Sequence, residues 1–311
     1  MKCFVGRDIN SVYLDTLLYL LQSNAAPVSS RCGDIIDLGP AFFEFTYPTN
    51  QLVLLNKRKF NPYFAVVESA WVLSGRNNLS DLQQVIKNYG QFSDNGISLN
   101  GAYGYRMQVY FELNQLELAI KLLKDKPETR RCVITLYAPR DLINNSSLDV
   151  PCNTTVYLKI RNSNLDLTVV NRSNDIYLGL PYNVFVFNVI QNYISHQLGL
   201  KIGVQRHFTD SLHLYVKDLS MVKKIVSCNS LSEIKKWCDE LTDTNNLIEG
   251  IIESFNEIAT LDADSISNSY CRNVIMDYLR YRAVGDKSSL RGNLPNDIFG
   301  LSVELWLNSL S

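Results

Sequence analysis

In the stretch Asp149–Ile160, "DVPCNTTVYLKI", a cysteine follows a proline at the mouth of an alternating apolar–polar run. A thiolate held there is a strong and reversible nucleophile, suited to adding to an electron-poor carbon and leaving again. Against this, Cys152 is one of seven cysteines (3, 32, 132, 152, 228, 238 and 271), none in a C-x-x-C pair. Most such thiols are expected to be small apolar core residues. Farther along, "NRSNDIYLGLPYN" (Asn171–Asn183) runs from a strand end through Gly and Pro into a helix. Polar groups at such a junction can face a cleft on backbone that is held still. Arginines recur at similar places: Arg31 in a Ser-Ser-Arg loop, the pair Arg130-Arg131 entering a strand, and Arg172. Guanidinium forks grip phosphate bidentately, so the set suits a phosphate monoester. Taken singly, Arg130-Arg131 reads as a solvated surface pair and Arg172-Ser173 as a salt-bridged turn.

The elements that must position these residues are legible from periodicity. Val12, Leu14, Leu17, Leu18 and Leu21 repeat at helical spacing over 10–24. "SSRCGDIIDLGPAFFEF" reads as a loop leading into a strand. Residues 62–75 read as a helix with Pro62 in its first turn and Gly75 as its cap. Glu68 falls in the middle of that apolar helix, either as a solvated residue on an outer face or as a buried carboxylate. An amphipathic helix ends at Pro127, and a short strand covers Cys132–Tyr137. "TTVYLKI" and "LDLTVVN" alternate with period two around Asn162-Ser163-Asn164, predicting a β-hairpin. Helical spacing resumes from Pro181 and stops at Gly199. Beyond residue 217 the segments are helical with polar connections. The expectation is an α+β body over 1–217 and a helical section over 218–311 packed on it.

Composition excludes several classes. Thirty Lys and Arg against 31 Asp and Glu leave a net charge of -1 over 311 residues, which argues against a nucleic-acid or membrane surface. Three histidines, none at ligand spacing from a cysteine, argue against zinc. The apolar run at the N-terminus lacks the pattern of a signal peptide, and no stretch is long enough to span a bilayer. The unpaired thiols suit a reducing cytoplasm.

Taken together and in order, "PCN", "NRSNDIYLGLPYN" and "HFTDSLHLY" (207–215) resemble the thymidylate synthase family. That family's signature is Pro-Cys-His, then Gln-Arg-Ser-x-Asp-x-x-x-Gly-x-Pro-Phe-Asn, then Gly-Asp-x-His-x-Tyr. Upstream, "ESAWVLSGRNN", "GAYGYRM" and "KPETRRCVITLY" resemble its glutamate helix, its Tyr-Gly segment and its twin-arginine turn, so the likeness covers roughly residues 25–217. The resemblance implies a mixed β-sheet with flanking helices, carrying a divergent helical C-terminal section. It implies that Cys152 attacks C6 of a pyrimidine nucleotide monophosphate, making C5 a carbon nucleophile. That carbon then accepts a one-carbon unit from 5,10-methylenetetrahydrofolate. Arg172 would lower the thiol's pKa. Arg31, Arg172 and Ser173 would hold the phosphate, completed by Arg130 and Arg131 of a partner subunit in a homodimer. His213 and Tyr215 would bind the sugar hydroxyl, and Asp175 would lie between base and pterin. Glu68 would organise water and proton transfer, so the buried carboxylate becomes the better reading, and Tyr103 would assist loss of the C5 proton. Asn183 would face the base edge. Its amide matches uracil, and turned over it matches cytosine.

Three departures bear on the product. The histidine after the nucleophile is Asn153, the two family tryptophans near the folate are replaced by Tyr89 and Phe92, and the chain ends "GNLPNDIFGLSVELWLNSLS" in place of the family's closing tail. Methyl formation needs a water-tight site for hydride transfer, whereas an ordered water beside the exocyclic carbon gives a hydroxymethyl group. The departures favour hydroxymethylation, with dUMP preferred and dCMP or CMP as alternatives. Reductive methylation of dUMP is the runner-up, and a non-catalytic nucleotide-binding protein is the lesser alternative. Such a protein would have little reason to keep Cys152, Glu68, Tyr103 and Asp175 together.

Overall fold

The computed structural model describes residues 1–49, 51–143, 146–240 and 244–310. Its strands are β1 (Lys2–Gly6), β2 (Pro27–Val28), β3 (Ile35–Asp37), β4 (Ala41–Phe45), β5 (Val133–Thr135), β6 (Asn153–Arg161), β7 (Asn164–Asn171), β8 (Asn174–Asp175), β9 (Lys201–Thr209) and β10 (Leu212–Tyr215). Six form a mixed sheet in the order β1-β4-β9-β7-β6-β5, and four form a smaller sheet in the order β2-β3-β10-β8. The β6–β7 hairpin turns at Asn162 and Ser163, both in the left-handed region with φ of 49° and 61°. Two such residues give the turn whose twist suits a two-residue hairpin, and a polar Asn tolerates it best.

At the open end of this hairpin the ladder slips. Asn153 pairs Asn171 and Thr155 pairs Val170, leaving Thr154 bulged. A bulge turns the strand end and re-aims its side chains. Here it sets the direction of Cys152 and Asn153. The carbonyl of Thr154 still accepts from Leu136 and Tyr137 at 2.9 and 3.3 Å, so the bulged backbone is not left unpaired.

Helices cover the sheet: α1 (Ile9–Gln22), α2 (Pro62–Leu73), α3 (Leu79–Gln83), α4 (Tyr103–Gln108), α5 (Gln115–Asp125) and α6 (Leu180–Leu198). Asn61 caps α2 by accepting from Phe64 N at 3.2 Å with Pro62 in the first turn, and Gly75 follows the helix at φ 66°. α4 lies hard against the end of α2. A Cβ on Gly104 would sit 1.9 Å from the Val72 carbonyl oxygen, so only glycine allows this approach. Gln108 then donates to the Val72 and Leu73 carbonyls at 3.2 and 3.0 Å, satisfying groups the helix end leaves open.

The C-terminal section adds α7 (Leu219–Ser227), α8 (Leu231–Glu240), α9 (Asn245–Glu253), α10 (Phe255–Ala259), α11 (Ser269–Val284), α12 (Lys287–Arg291) and α13 (Ile298–Ser309). α9, α10 and α13 pack on α2, which also meets α3, α4 and α6. Tyr63 of α2 stacks on Tyr278 at 4.6 Å and meets Phe299 and Trp306 edge-on at 5.4 and 5.9 Å. Such aromatic pairs add to plain area burial and fix relative orientation. Arg282 donates to the Val85 carbonyl at 3.0 Å, tying α11 to the segment that precedes Tyr89.

The cysteine expectation needs correcting. Cys132 and Cys271 are buried, but Cys3, Cys32 and Cys228 are exposed and Cys152 is intermediate. The exposed ones sit on a strand's outward face, in a loop and at a helix end, where packing makes no demand on them. The Cys238 side chain and residues 241–243 lie outside the described residues.

A buried ion pair holds the loops beneath the site. The Arg106 guanidinium, fully buried, donates two bonds of 2.9 Å to the two carboxylate oxygens of Asp141 and a third to Asn100 O at 2.6 Å. Removing one partner strands a charge in the interior. Asp141→Ala is therefore expected to lower the unfolding free energy by about 3–5 kcal/mol, read as a lower urea midpoint at an unchanged slope.

Candidate active site

The two sheets, α2, α4 and the start of α6 bring the candidates to one end of the hairpin. Cys152 stands just before β6. Arg172, just after β7, donates to its Sγ at 3.6 Å and to the Pro151 and Val150 carbonyls at 3.0 and 2.9 Å. Arg31 crosses to the same loop and donates to the Ser147 carbonyl and, at 3.4 Å, to that of Leu148. Neither arginine is among the ion pairs of the described residues. Both are held by carbonyls, so their charge remains available to an anion.

Arg172 acts on the thiol in the expected direction, but burial acts more strongly. Burial pushes the Cys152 pKa up, and the opposing pull of Arg172 and then Arg31 does not overcome it. The thiol rests protonated in this state. A thiolate therefore depends on what enters the site or removes the proton.

Glu68 projects from the middle of α2, and among the described residues only Tyr89 O–H reaches it, donating to Oε1 at 3.2 Å. Its Oε2 is enclosed and has no partner among the described residues. Burial raises the carboxyl to about 7, with the tyrosine bond opposing. The solvated reading of Glu68 is thus set aside: the carboxyl sits poised at neutral pH, where a group can both give and take a proton. Tyr103, at the start of α4, lies in the field of Cys152 and Glu68, and burial first, then those two groups, push its phenol well up. Gly104 is what lets α4 bring it there. Asp149 anchors the same loop by accepting from Asn100 N and, at 2.9 Å, from Gly101 N.

On the other side, β8 and β10 run parallel and pair Asp175 with His213. Asp175 Oδ1 accepts from Tyr177 N and Leu178 N at 2.7 and 3.0 Å. Burial still raises its pKa, ahead of these two bonds and the nearby His213 and Arg58. Ser173 Oγ is 3.4 Å from His213 Nδ1, and the His213 ring meets Tyr215 edge-on at 5.5 Å. Burial pushes Tyr215 to about 12. Arg130 and Arg131 are exposed, at the turn between α5 and β5.

The base-facing candidate, Asn183, lies in the first turns of α6. Its Oδ1 accepts from Asn153 Nδ2 at 3.4 Å, and its Nδ2 donates to Asn174 Oδ1 at 3.3 Å. Asn171 Nδ2 in turn donates to Asn153 Oδ1. Asn171 and Asn174 were not singled out from sequence, nor was Tyr89 given a role beyond replacing a tryptophan. The available signal was the density of asparagine in and around the motif, at 153, 171, 174 and 183.

Residues 12–253 match the family model for thymidylate synthase, beyond the motif-bearing stretch on both sides. A deoxyuridylate hydroxymethyltransferase of Bacillus phage SP01 is 33% identical over 279 residues, covering 83% of this chain and 72% of that protein. Proteins of the same name from Pseudomonas phage M6 and Delftia phage PhiW-14 are 29% and 34% identical. Those matches cover 71% and 56% of this chain and 64% and 51% of the relatives' lengths.

Proposed function

Because the chain belongs to the thymidylate synthase family, we propose that it is a one-carbon transferase acting on dUMP, and that water completes the reaction to give the 5-hydroxymethyl nucleotide. The observation carrying this is Glu68: a carboxyl near neutral pKa with one oxygen free of partners among the described residues, in a site that also holds Cys152 and Tyr103. The names of the phage relatives point the same way.

In this reading the nucleotide phosphate sits against Arg31, Arg172 and Ser173. Arg130 and Arg131 join from the second subunit of a homodimer. The exposed Val133 and Tyr157, paired across β5 and β6, offer apolar surface for that contact. His213 and Tyr215 take the sugar hydroxyl, and Asn183 the base edge. Cys152 gives up its proton and adds to C6, which places electron density on C5. C5 takes the one-carbon unit, and Tyr103 assists removal of the C5 proton. The electron pair so released would expel the carrier's nitrogen, leaving an exocyclic carbon–carbon double bond. Glu68 Oε2 holds a water and takes its proton as the oxygen adds to the carbon now attached at C5. Loss of Cys152 from C6 then releases product. Overall, dUMP, the methylene carrier and water give the hydroxymethyl nucleotide and the carrier without its one-carbon unit.

The thymidylate synthase family uses 5,10-methylenetetrahydrofolate, which supplies carbon at the oxidation level of formaldehyde. The residues present fit it. Asp175 spends Oδ1 on two backbone N–H groups and so presents a fixed acceptor to an amino-pterin edge. Leu178 on the same turn and Phe92 are exposed apolar surface for rings. The chain has no described helix long and apolar enough to cross a membrane, and a cytoplasmic setting suits this chemistry.

The test is mass spectrometry of products from dUMP, dCMP, UMP and CMP with methylenetetrahydrofolate. The expected product is dUMP heavier by formaldehyde, with no dihydrofolate absorbance. A methyl-bearing product with dihydrofolate would overturn the hydroxymethyl reading. Absence of turnover on every nucleotide would overturn the enzyme reading.

A further inference from the structure

Four side-chain amides run head to tail through the site: Asn171 to Asn153, Asn153 to Asn183, and Asn183 to Asn174. Asn153 is fully buried, and Asn171 and Asn174 are 1% and 2% exposed. The chain has a direction. Each amide gives an N–H to the next, and the two ends are left over: Asn171 Oδ1 and Asn174 Nδ2 are both enclosed without a partner among the described residues. Local structure dictates this contiguity. Asn171 is the register partner of Asn153 beside the bulge, Asn174 is held by β8, and Asn183 sits one turn into α6. Gly179 leaves room for the end amide, since a Cβ there would lie 3.0 Å from Asn174 Oδ1.

Turning all four amides over preserves the count. Asn174 would then donate to Asn183, Asn183 to Asn153, and Asn153 to Asn171. Three internal bonds survive, and again one donor and one acceptor are left at the ends. Tyr103, which shares a hydrogen bond with Asn153, does not break the symmetry, because a hydroxyl can donate or accept as required. The two senses differ in what Asn183 offers to a ligand. One N–H and one oxygen lone pair remain to it, and turning the amide exchanges their places. Uracil needs a donor opposite O4 and an acceptor opposite N3–H, whereas cytosine needs the reverse. We propose that the sense of this amide chain sets whether the site takes a uracil or a cytosine nucleotide, with Asn171 and Asn174 as positioning residues that set it from the two ends. This rests on the reading above that Asn183 faces the base.

A carboxylate can only accept, so it pins the chain at whichever end it is placed. Asn174→Asp accepts from Asn183 Nδ2 and holds the sense seen in the structure. Asn171→Asp accepts from Asn153 Nδ2, so Asn153 must accept from Asn183, and the sense reverses. The experiment measures kcat/KM for dUMP and dCMP on each purified variant at several pH values up to about 9, because burial raises a carboxyl in this site as it does Glu68. Taking the ratio within one variant cancels any inactive fraction. With the observed sense serving uracil, Asn171→Asp is expected to lower the dUMP:dCMP ratio about tenfold or more, and Asn174→Asp to raise it. Opposite movements of the two ratios support the proposal. Movement in the same direction, or none, overturns it, because a merely structural role has no reason to split the pair. If Asn171→Asp fails to fold, Asn153→Asp takes its place, since a carboxylate there also accepts from Asn183 and must move the ratio as Asn171→Asp would. Wild-type protein inactive on both nucleotides would instead sink the function reading, a failure visible before any variant is made.

Discussion

Cys152→Ala is expected to abolish product formation and the release of tritium from 5-tritiated dUMP, by at least about a thousandfold, while nucleotide binding persists. The reason is electronic. C5 of the pyrimidine acquires nucleophilic character only after C6 is saturated, and the described site offers Cys152 for that addition. Binding should survive because the phosphate is held by Arg31 and Arg172, whose guanidinium groups are fixed mainly by backbone carbonyls at 147–151 and not by the sulfur. Equilibrium dialysis against dUMP checks this arm. Loss of binding with loss of turnover would make Cys152 a packing residue. Burial holds the free thiol protonated, so alkylation by iodoacetamide should be slow near neutral pH in the free protein and accelerate as pH rises.

Glu68→Gln is expected to reduce kcat by about 10²–10⁴ and to remove a break near pH 7 from the pH–rate profile. The break belongs to the carboxyl whose burial lifts it from 4.5 to about 7. The same substitution tests the cost of that burial. The folded chain favours protonated Glu68, so its contribution to stability is fully present below the ordinary value of 4.5. It is lost as pH rises through about 7. Gln carries no such loss, and the variant should gain stability over the native chain above pH 7, on the order of 2–3 kcal/mol. Urea unfolding at two pH values measures it. A variant slower yet no more stable at high pH would show that the charged carboxylate has a partner in solution.

Much of the arrangement was legible in the residues. The period-two runs around Asn162-Ser163 gave the hairpin because a half-buried strand must alternate. Pro62 and Gly75 bounded α2 because each has a fixed meaning at a helix end. The motif order placed Cys152, Arg172, Asp175, Asn183 and His213 within one site before any geometry was known. The state of Glu68 was not legible. Its environment is assembled by Tyr89 and Tyr103 from other segments and by the close approach at Gly104. The pull of Arg172 on the thiol was legible, but its being outweighed by burial was not: a neighbouring arginine can be read from sequence, whereas how much water is excluded cannot.

The sequence by itself determined the elements and the chemical groups, since periodicity, caps and side-chain functionality are local properties. The tertiary structure decided how those groups behave. Desolvation acts through everything packed around a residue, and it set the protonation of Cys152 and Glu68. A hydrogen-bond direction belongs to a connected chain, and it is the fold that joins Asn171, Asn153, Asn183 and Asn174 from three strand ends and a helix.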